Sequence, residues 1–425
     1  MASLPTPAPQ QQALSQQLGI LIQQKIKNSG GWIPFTDFMH MALYTPGLGY
    51  YSGGATKFGL QGDFVTAPEI SPLFAKTLAL QAAQVLAATR GDNLTSNVLE
   101  LGAGTGKLAA DLLLELQALN QLPSQYFILE VSDHLRHIQR ETLQKKLPVE
   151  LFNRVTWLDT LPPSPQPSPT RGEGVSMSKL AGTSPSPPVG EGWGEGGGFN
   201  GLILANEVLD AIPVHILHKT TQGWRERGVA LDDTNHGEFV WQDADLTQPD
   251  LAENFPDDLS IGYITEVCPA ALGLVCSLVE MLETGAILLI DYGFSAREYY
   301  HPQRNLGTLM CHYQHYAHSN PLINVGLQDI TAHVNFTQIA MLCEPTSMRI
   351  AGYVNQAQFL INCGILDVLA QVSPSDMAAY APLAAAAQKL LSPAEMGELF
   401  KVIAFSKDFD EPLIGFKSGD KSHTL

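Results

Sequence analysis

An α/β fold built on a mostly parallel sheet of about seven strands is predicted by three features of this sequence. Short apolar runs alternate with helical stretches through the middle of the chain. One of these runs empties into a glycine-rich turn, and several of them end in carboxylates. The run with the glycines is Val98-Leu99-Glu100-Leu101, followed by Gly102-Ala103-Gly104-Thr105-Gly106 and by a helix from Lys107. Residues 126–131, 155–158, 202–205 and 286–291 read as further strands, and 398–405 as the strand that closes the sheet.

Ahead of this region, residues 13–90 read mainly as helix. Leu14, Leu18, Leu21 and Ile22 recur at helical spacing, as do Phe74, Leu78, Leu80 and Val85. Between them, residues 44–71 are rich in Gly, Pro and aromatics and read as a structured loop. Residues 1–12 are Pro- and Gln-rich and read as a disordered tail. The expected organisation is therefore a tail (1–12), a helical N-terminal region (13–90) and a main domain (91–425). One stretch of the main domain does not fit: residues 162–198 combine Pro, Ser and Gly with almost no large apolar side chains. Ser168-Pro169-Thr170-Arg171-Gly172-Glu173-Gly174 and Ser186-Pro187-Pro188-Val189-Gly190-Glu191-Gly192 are near-copies. Such a composition cannot bury enough surface to offset its ordering entropy, so a disordered surface insertion is expected.

Composition narrows the function. The chain has 425 residues, is 45% hydrophobic and carries a net charge of -18, with 42 acidic against 24 basic residues. Nucleic-acid binders show a basic footprint because phosphate contacts dominate their affinity, so no nucleic-acid partner is expected. Cys268, Cys276, Cys311, Cys343 and Cys363 form no CxxC pair, as for reduced thiols. No apolar stretch approaches the ~20 residues of a spanning helix. Residues 1–12 lack basic side chains and resemble neither a secretory signal nor an Arg-rich transit peptide. The expectation is a soluble, cytoplasmic protein.

The glycine turn points to a nucleoside-type ligand. A turn between strand and helix lets a ligand approach the backbone closely. The dinucleotide fingerprint would need glycine at position 107, where Lys107 stands. Glu100 beside the turn would repel a pyrophosphate but suits the ammonium and sulfonium of S-adenosylmethionine, which is the expected cofactor. Glu130 falls about 20 residues past the turn, where a doubly wound fold places its ribose-hydroxyl acceptor. Asp159, ending the third run, could accept from an adenine amine; a helix cap or loop acid is its other reading.

Ligands of open α/β sheets bind outside the carboxyl ends of the strands. The run 202–205 leads into Asn206-Glu207-Val208-Leu209-Asp210-Ala211-Ile212-Pro213, and the run 286–291 ends Asp291-Tyr292-Gly293. Asn206, Glu207, Asp210 and Asp291 are therefore the candidate catalytic residues. Methyl transfer is an in-line displacement that depends on positioning. If the nucleophile is an arginine guanidinium, paired carboxylates at Glu207 and Asp210 could hold its planar fork and take its proton. The plainer alternative has Glu207 capping a helix and Asp210 solvated. His312, His315 and His318 do not keep three ligands on one helical face and no cysteine pair completes a site, so no metal is expected.

Taken together, the blocks resemble the MidA-type family of methyltransferases, whose members include a mitochondrial arginine methyltransferase serving respiratory complex I assembly. The resemblance is carried by Gly62-Asp63-Phe64-Val65-Thr66-Ala67-Pro68-Glu69-Ile70-Ser71, the stretch 100–106, Glu130-Val131-Ser132 with Leu135-Arg136, the stretch 206–213, Asp291-Tyr292-Gly293, Gly307-Thr308-Leu309 with His315, and Asp329-Ile330-Thr331. It implies a class I (Rossmann-like) methyltransferase domain, a helical N-terminal cap and a segment at 295–335 covering the substrate. It also implies cofactor contacts from Gly102, Ala103, Gly104, Gly106 and Glu130, with Gly62 and Asp63 in a block folded over the cofactor. A protein arginine is the implied substrate, on a partner such as a respiratory-chain subunit. Two departures lie in or beside the expected substrate cover: Val325-Gly326 stands where relatives carry Pro-Gly, and Val334-Asn335-Phe336 where they carry Val-Asp-Phe. The rival functions are a small-molecule methyltransferase on the same scaffold and a cofactor-binding assembly factor without chemistry.

Overall fold

A computed structural model describes residues 4–53, 66–91, 95–161, 198–232, 237–253, 255–342 and 347–425. The chain divides into two compact units. The larger comprises Thr66–Leu209, Leu272–Ser295 and Asn335–Leu425, and the smaller Met1–Val65, Asp210–Ala271 and Ala296–Val334. The expected insertion 162–198 lies, but for Gly198, outside the described residues.

The larger unit holds the sheet. The strands on its main path are β1 (Asn97–Leu101), β2 (Tyr126–Leu129), β3 (Val155–Leu158), β4 (Phe199–Asn206), β5 (Leu282–Phe294), β6 (Arg349–Asn355) and β7 (Phe400–Lys407). They lie in the order β6-β7-β5-β4-β1-β2-β3. The pairs β5–β4, β4–β1, β1–β2 and β2–β3 are parallel, whereas β7 is antiparallel to both of its neighbours. One reversed strand inside an otherwise parallel sheet is the arrangement of class I methyltransferases, and it matches the expected fold.

The sequence explains why the middle strands are central. Every residue of β1 is buried, as is the run Ala286, Ile287, Leu288, Leu289 and Ile290 of β5, which suits strands covered on both faces. Helix Pro72–Ala88 starts at Ser71, whose hydroxyl accepts from Leu73 N, and has proline in its first turn. It packs Phe74, Leu78 and Val85 into one core with Leu108, Leu112 and Leu116 of helix Lys107–Ala118 and with Leu202, Leu204, Ile290 and Phe400 of the sheet. Each such side chain contributes about 1.5–3 kcal/mol by burial. Asn335, one of the two departures, begins helix Phe336–Met341 and accepts from Gln338 N, a capping role that aspartate would fill equally well.

The smaller unit packs helices Pro9–Asn28 and Phe35–Tyr44 with antiparallel strands Trp32–Pro34, Gly223–Leu231, His215–Thr220 and Ile264–Val267. Leu18, Ile22, Phe35, Phe38, Val229 and Ile330 share its core. Val325, the other departure, is buried in that core as well. A second sheet joins Met310–Tyr313 to Tyr316–His318 and Asp329–Thr331. The Gly307-Thr308-Leu309 block is held by the buried Glu266 carboxylate, which accepts from Thr308 N, Thr308 Oγ1 and Leu309 N. A Cβ on Gly307 would come within 2.1 Å of Glu266 Oε1, so only glycine fits beside that carboxylate.

Candidate active site

The exit of β1 is made by backbone shape. Gly102, Gly104 and Gly106 have φ of 62°, 53° and 81°, values that favour glycine. The three differ in surroundings. A Cβ on Gly102 would meet Val208 Cγ2 at 3.0 Å and one on Gly106 would meet Gln139 Cα at 3.1 Å, whereas one on Gly104 meets nothing among the described residues within 4 Å. Gly106 N donates to Ala103 O at 2.8 Å, closing the turn before the helix. Thr105 Oγ1 donates to Glu69 Oε1 at 2.5 Å, and Lys107 Nζ donates to Pro68 O at 2.6 Å, so the turn is braced by residues 68 and 69.

Glu100 sits beneath this turn, only 3% exposed, and accepts from Tyr126 Oη at 2.6 Å. Burial pushes its carboxyl up to about 7, against the lowering effect of the Tyr126 hydrogen bond, with Glu130 raising it further. It is thus a buried, tyrosine-bonded group below the turn.

At the exit of β2, Glu130 is 5% exposed. Its Oε1 accepts from Ser132 N at 2.9 Å and its Oε2 from Gln139 Nε2 at 2.9 Å. Burial raises its carboxyl, and these hydrogen bonds together with Arg136 oppose the rise. A carboxylate offers about four lone-pair sites, so a Glu130 pinned by Ser132, Gln139 and the Val131 backbone keeps acceptor capacity for a ligand hydroxyl. Asp159, at the exit of β3, forms an ion pair with Arg136, whose Nε also donates to Glu130 O at 2.7 Å. The Asp159 side chain is 59% exposed, so this carboxylate is engaged with Arg136 at the rim.

The exits of β4 and β5 are tied together by side chains. Glu207 has a φ of 55°, a left-handed conformation that costs a residue with a Cβ free energy. Its N donates to Ile290 O at 2.9 Å, and its Oε1 accepts from Ala67 N at 3.3 Å and from Asn206 Nδ2 at 3.1 Å. Asp291 Oδ2 accepts from Val208 N at 3.2 Å and Leu209 N at 2.8 Å, while its Oδ1 accepts from Tyr292 N at 2.8 Å. Asp291 is 1% exposed, and its Oδ2 secures the chain that carries Glu207.

The larger unit therefore brings together Glu100, the glycine turn, Glu130 and Asp159 on one side, and Asn206, Glu207 and Asp291 on the other. Asp210 belongs to the smaller unit, where it is 4% exposed and its carbonyl accepts from Ala332 N at 2.9 Å. Gly62 and Asp63 lie outside the described residues. Sequence reasoning missed Gln139, Tyr126, Glu69 and Arg136 as parts of the site. Arg136 and Glu69 had a signal, since they stand in the Glu130 block and in the 62–71 block; Gln139 and Tyr126 sit in helical or strand stretches where nothing local marks them.

Among the described residues no group of three or more His, Cys, Asp or Glu side chains could hold a metal ion, and no helix is long and apolar enough to cross a membrane. His312 and His318 lie on adjacent antiparallel strands, with His315 in the turn between them.

Fold and site define an S-adenosylmethionine-dependent methyltransferase of class I, with S-adenosylmethionine as its cofactor. The family model described as "Putative S-adenosyl-L-methionine-dependent methyltransferase" matches residues 77–354, and the chain belongs to that family. A superfamily member from Burkholderia thailandensis, crystallised with S-adenosyl-homocysteine bound, is 46% identical over 100% of both chains with a TM-score of 0.87. The human relative named "Protein arginine methyltransferase NDUFAF7, mitochondrial" is 30% identical over 398 residues, covering 90% of this chain and 82% of the relative. Its Mus musculus counterpart is 29% identical, covering 90% and 83%. These relatives are mitochondrial by name, which corrects the cytoplasmic location expected above; the composition of residues 1–12 does not decide location.

Proposed function

We propose that this methyltransferase modifies an arginine side chain of a protein partner. The observation that carries the reading is Glu207: a residue with a Cβ, held left-handed at the carboxyl end of β4 with its carboxylate tethered by Ala67 N and Asn206 Nδ2. Backbone strain of this kind persists only where the surroundings over-determine it, and it concentrates at functional sites. The names of the relatives support the same substrate class.

Gly102, Ala103, Gly104, Gly106 and Glu130 are the residues proposed to hold the cofactor. Gly104 presents a backbone face that is open among the described residues, and Glu130 presents a fixed acceptor. When bound, the cofactor supplies an electrophilic methyl group. The Glu207 carboxylate orients a planar guanidinium through paired hydrogen bonds and accepts the proton that its nitrogen gives up. Asn206 sets the carboxylate plane, and Asp291 holds the Val208 and Leu209 amides so that Glu207 stays in place. Asp210 as a second guanidinium partner rests on its sequence position alone.

The partner class is a protein such as a respiratory-chain subunit, following the family resemblance. The deciding experiment incubates candidate partner proteins with the enzyme and isotope-labelled S-adenosylmethionine, then maps the label by mass spectrometry. Label on arginine is the expected result. Label confined to small metabolites would replace the reading by a small-molecule methyltransferase, and cofactor binding without any transfer would replace it by an assembly factor.

A further inference from the structure

Gln139 lies on helix Asp133–Lys146 and is fully buried. A buried glutamine is costly unless its amide is satisfied, and this one is satisfied by three different parts of the site. Its Nε2 donates to Gly104 O at 3.1 Å and to Glu130 Oε2 at 2.9 Å. Its Oε1 accepts from Trp157 Nε1 on β3 at 2.9 Å. The same residue lies under Gly106, where a Cβ would be 3.1 Å from Gln139 Cα. The amide can face only one way. Turned over, its oxygen would oppose a carbonyl and a carboxylate, and its NH₂ would oppose an indole N–H.

We propose that Gln139 is the positioning residue of the cofactor site, setting the glycine turn and the Glu130 carboxylate in one fixed relation. These two groups belong to different strand exits, and the glutamine amide spans them directly. Both of its N–H groups are committed, so a side chain with one fewer donor, or with a shorter reach, serves only one of the two. The inference rests on Glu130 as a cofactor acceptor, and its test separates the two ideas.

S-adenosyl-homocysteine serves as the probe, titrated by calorimetry into the full chain and into Gln139→Glu, Gln139→Asn and Glu130→Gln, each with a thermal melt. Gln139→Glu keeps the shape but sets a second carboxylate against Glu130 and Gly104 O. Its affinity should fall at least tenfold at pH 8, about 1.4 kcal/mol. It should recover in part at pH 6, where the introduced carboxyl, once protonated, can donate again. A residue with only a packing role would show no such pH-dependent recovery. Gln139→Asn keeps the amide but not the span, and should also lose affinity while remaining folded. In transfer assays with the cofactor varied up to saturation, kcat should change less than the KM for the cofactor. Affinity within threefold of the parent in both Gln139 variants, or unfolding of both, overturns the proposal. If Glu130→Gln binds as tightly as the parent, the cofactor role of Glu130 fails first; if it weakens binding and the Gln139 variants do not, Gln139 alone is misassigned.

Discussion

Two strand exits of one sheet solve the same problem by opposite means. After β1, the chain turns on glycines with positive φ, and Gly104 leaves one face of the backbone open among the described residues. After β4, the left-handed position belongs to Glu207, and the turn is held from outside by Asp291, whose carboxylate takes the Val208 and Leu209 amides. The first exit omits side chains so that a ligand can reach the backbone. The second keeps a side chain in a costly conformation and secures it with a partner far along the sequence. A site that binds needs room, whereas a site that does chemistry needs a group held still.

The sharpest way to break this contrast is to remove the charge from the second exit. Glu207→Gln keeps shape and hydrogen-bonding reach but cannot balance or deprotonate a guanidinium. Methyl transfer to a protein substrate should fall by ~10²–10⁴-fold, the usual worth of such groups. S-adenosyl-homocysteine affinity should stay within a few-fold, because the proposed cofactor residues lie at the exits of β1 and β2. Both quantities are measured on one preparation, by label incorporation and by titration. Parent-like transfer would make Glu207 a turn-former only; lost binding would move it into the cofactor site.

The same contrast explains what can be read from the sequence. The glycine turn, the Glu130 position and six of these seven strands are legible because their signals are local: glycine spacing, apolar runs and a carboxylate at a strand end. The closing strand reads two residues early, at 398–405 against Phe400–Lys407. Strand Arg349–Asn355 escapes the reading, since Gly352 and two polar ends break its apolar run. The strands of the smaller unit escape it too; their half-buried patterns carry charged residues such as Arg225, Glu226 and Arg227. Asp291 reads as catalytic because its position at a strand end is visible, while the amides it binds are known only from the fold. Gln139 has no local mark at all.

A second test divides the first exit. Gly104→Ala and Gly106→Ala both put a Cβ on a left-handed residue, a strain of roughly 1 kcal/mol or more in each case. Only at Gly106 does the new atom also press on backbone, with Gln139 Cα at 3.1 Å. Gly106→Ala should therefore have the lower Tm of the two. Gly104→Ala should stay closer to the parent in Tm but lose at least tenfold in S-adenosyl-homocysteine affinity, about 1.4 kcal/mol. Calorimetry showing tight binding to Gly104→Ala would mean that the open face is not the ligand's, and that the turn is glycine-rich for its own geometry.

The smallest effect concerns the floor of that exit. Glu100 is buried against Tyr126, and burial pushes its carboxyl up to about 7 from an ordinary value of 4.5. A raised carboxyl means the folded chain holds a proton that the unfolded chain has already released. Stability from this group is therefore full at pH values below about 4.5, declines as pH rises toward 7 and is flat beyond it. Glu100→Gln carries no charge at any pH and keeps an acceptor for the Tyr126 hydroxyl. Between pH 5 and pH 8 the parent should lose a few degrees of Tm more than the variant, an interval set by the roughly 2–4 °C that 1 kcal/mol moves a mid-sized domain. Glu130, also raised by burial, is coupled to Glu100, so removing the Glu100 charge eases its ionisation too and acts in the same direction. Near pH 5 the two should melt close together, and at pH 8 the variant should melt higher. Parallel curves would show that Glu100 ionises in the folded protein as easily as in the unfolded chain. Water would then reach the floor of the turn, and the buried, tyrosine-bonded Glu100 would be a hydrated carboxylate that a cationic cofactor could address directly.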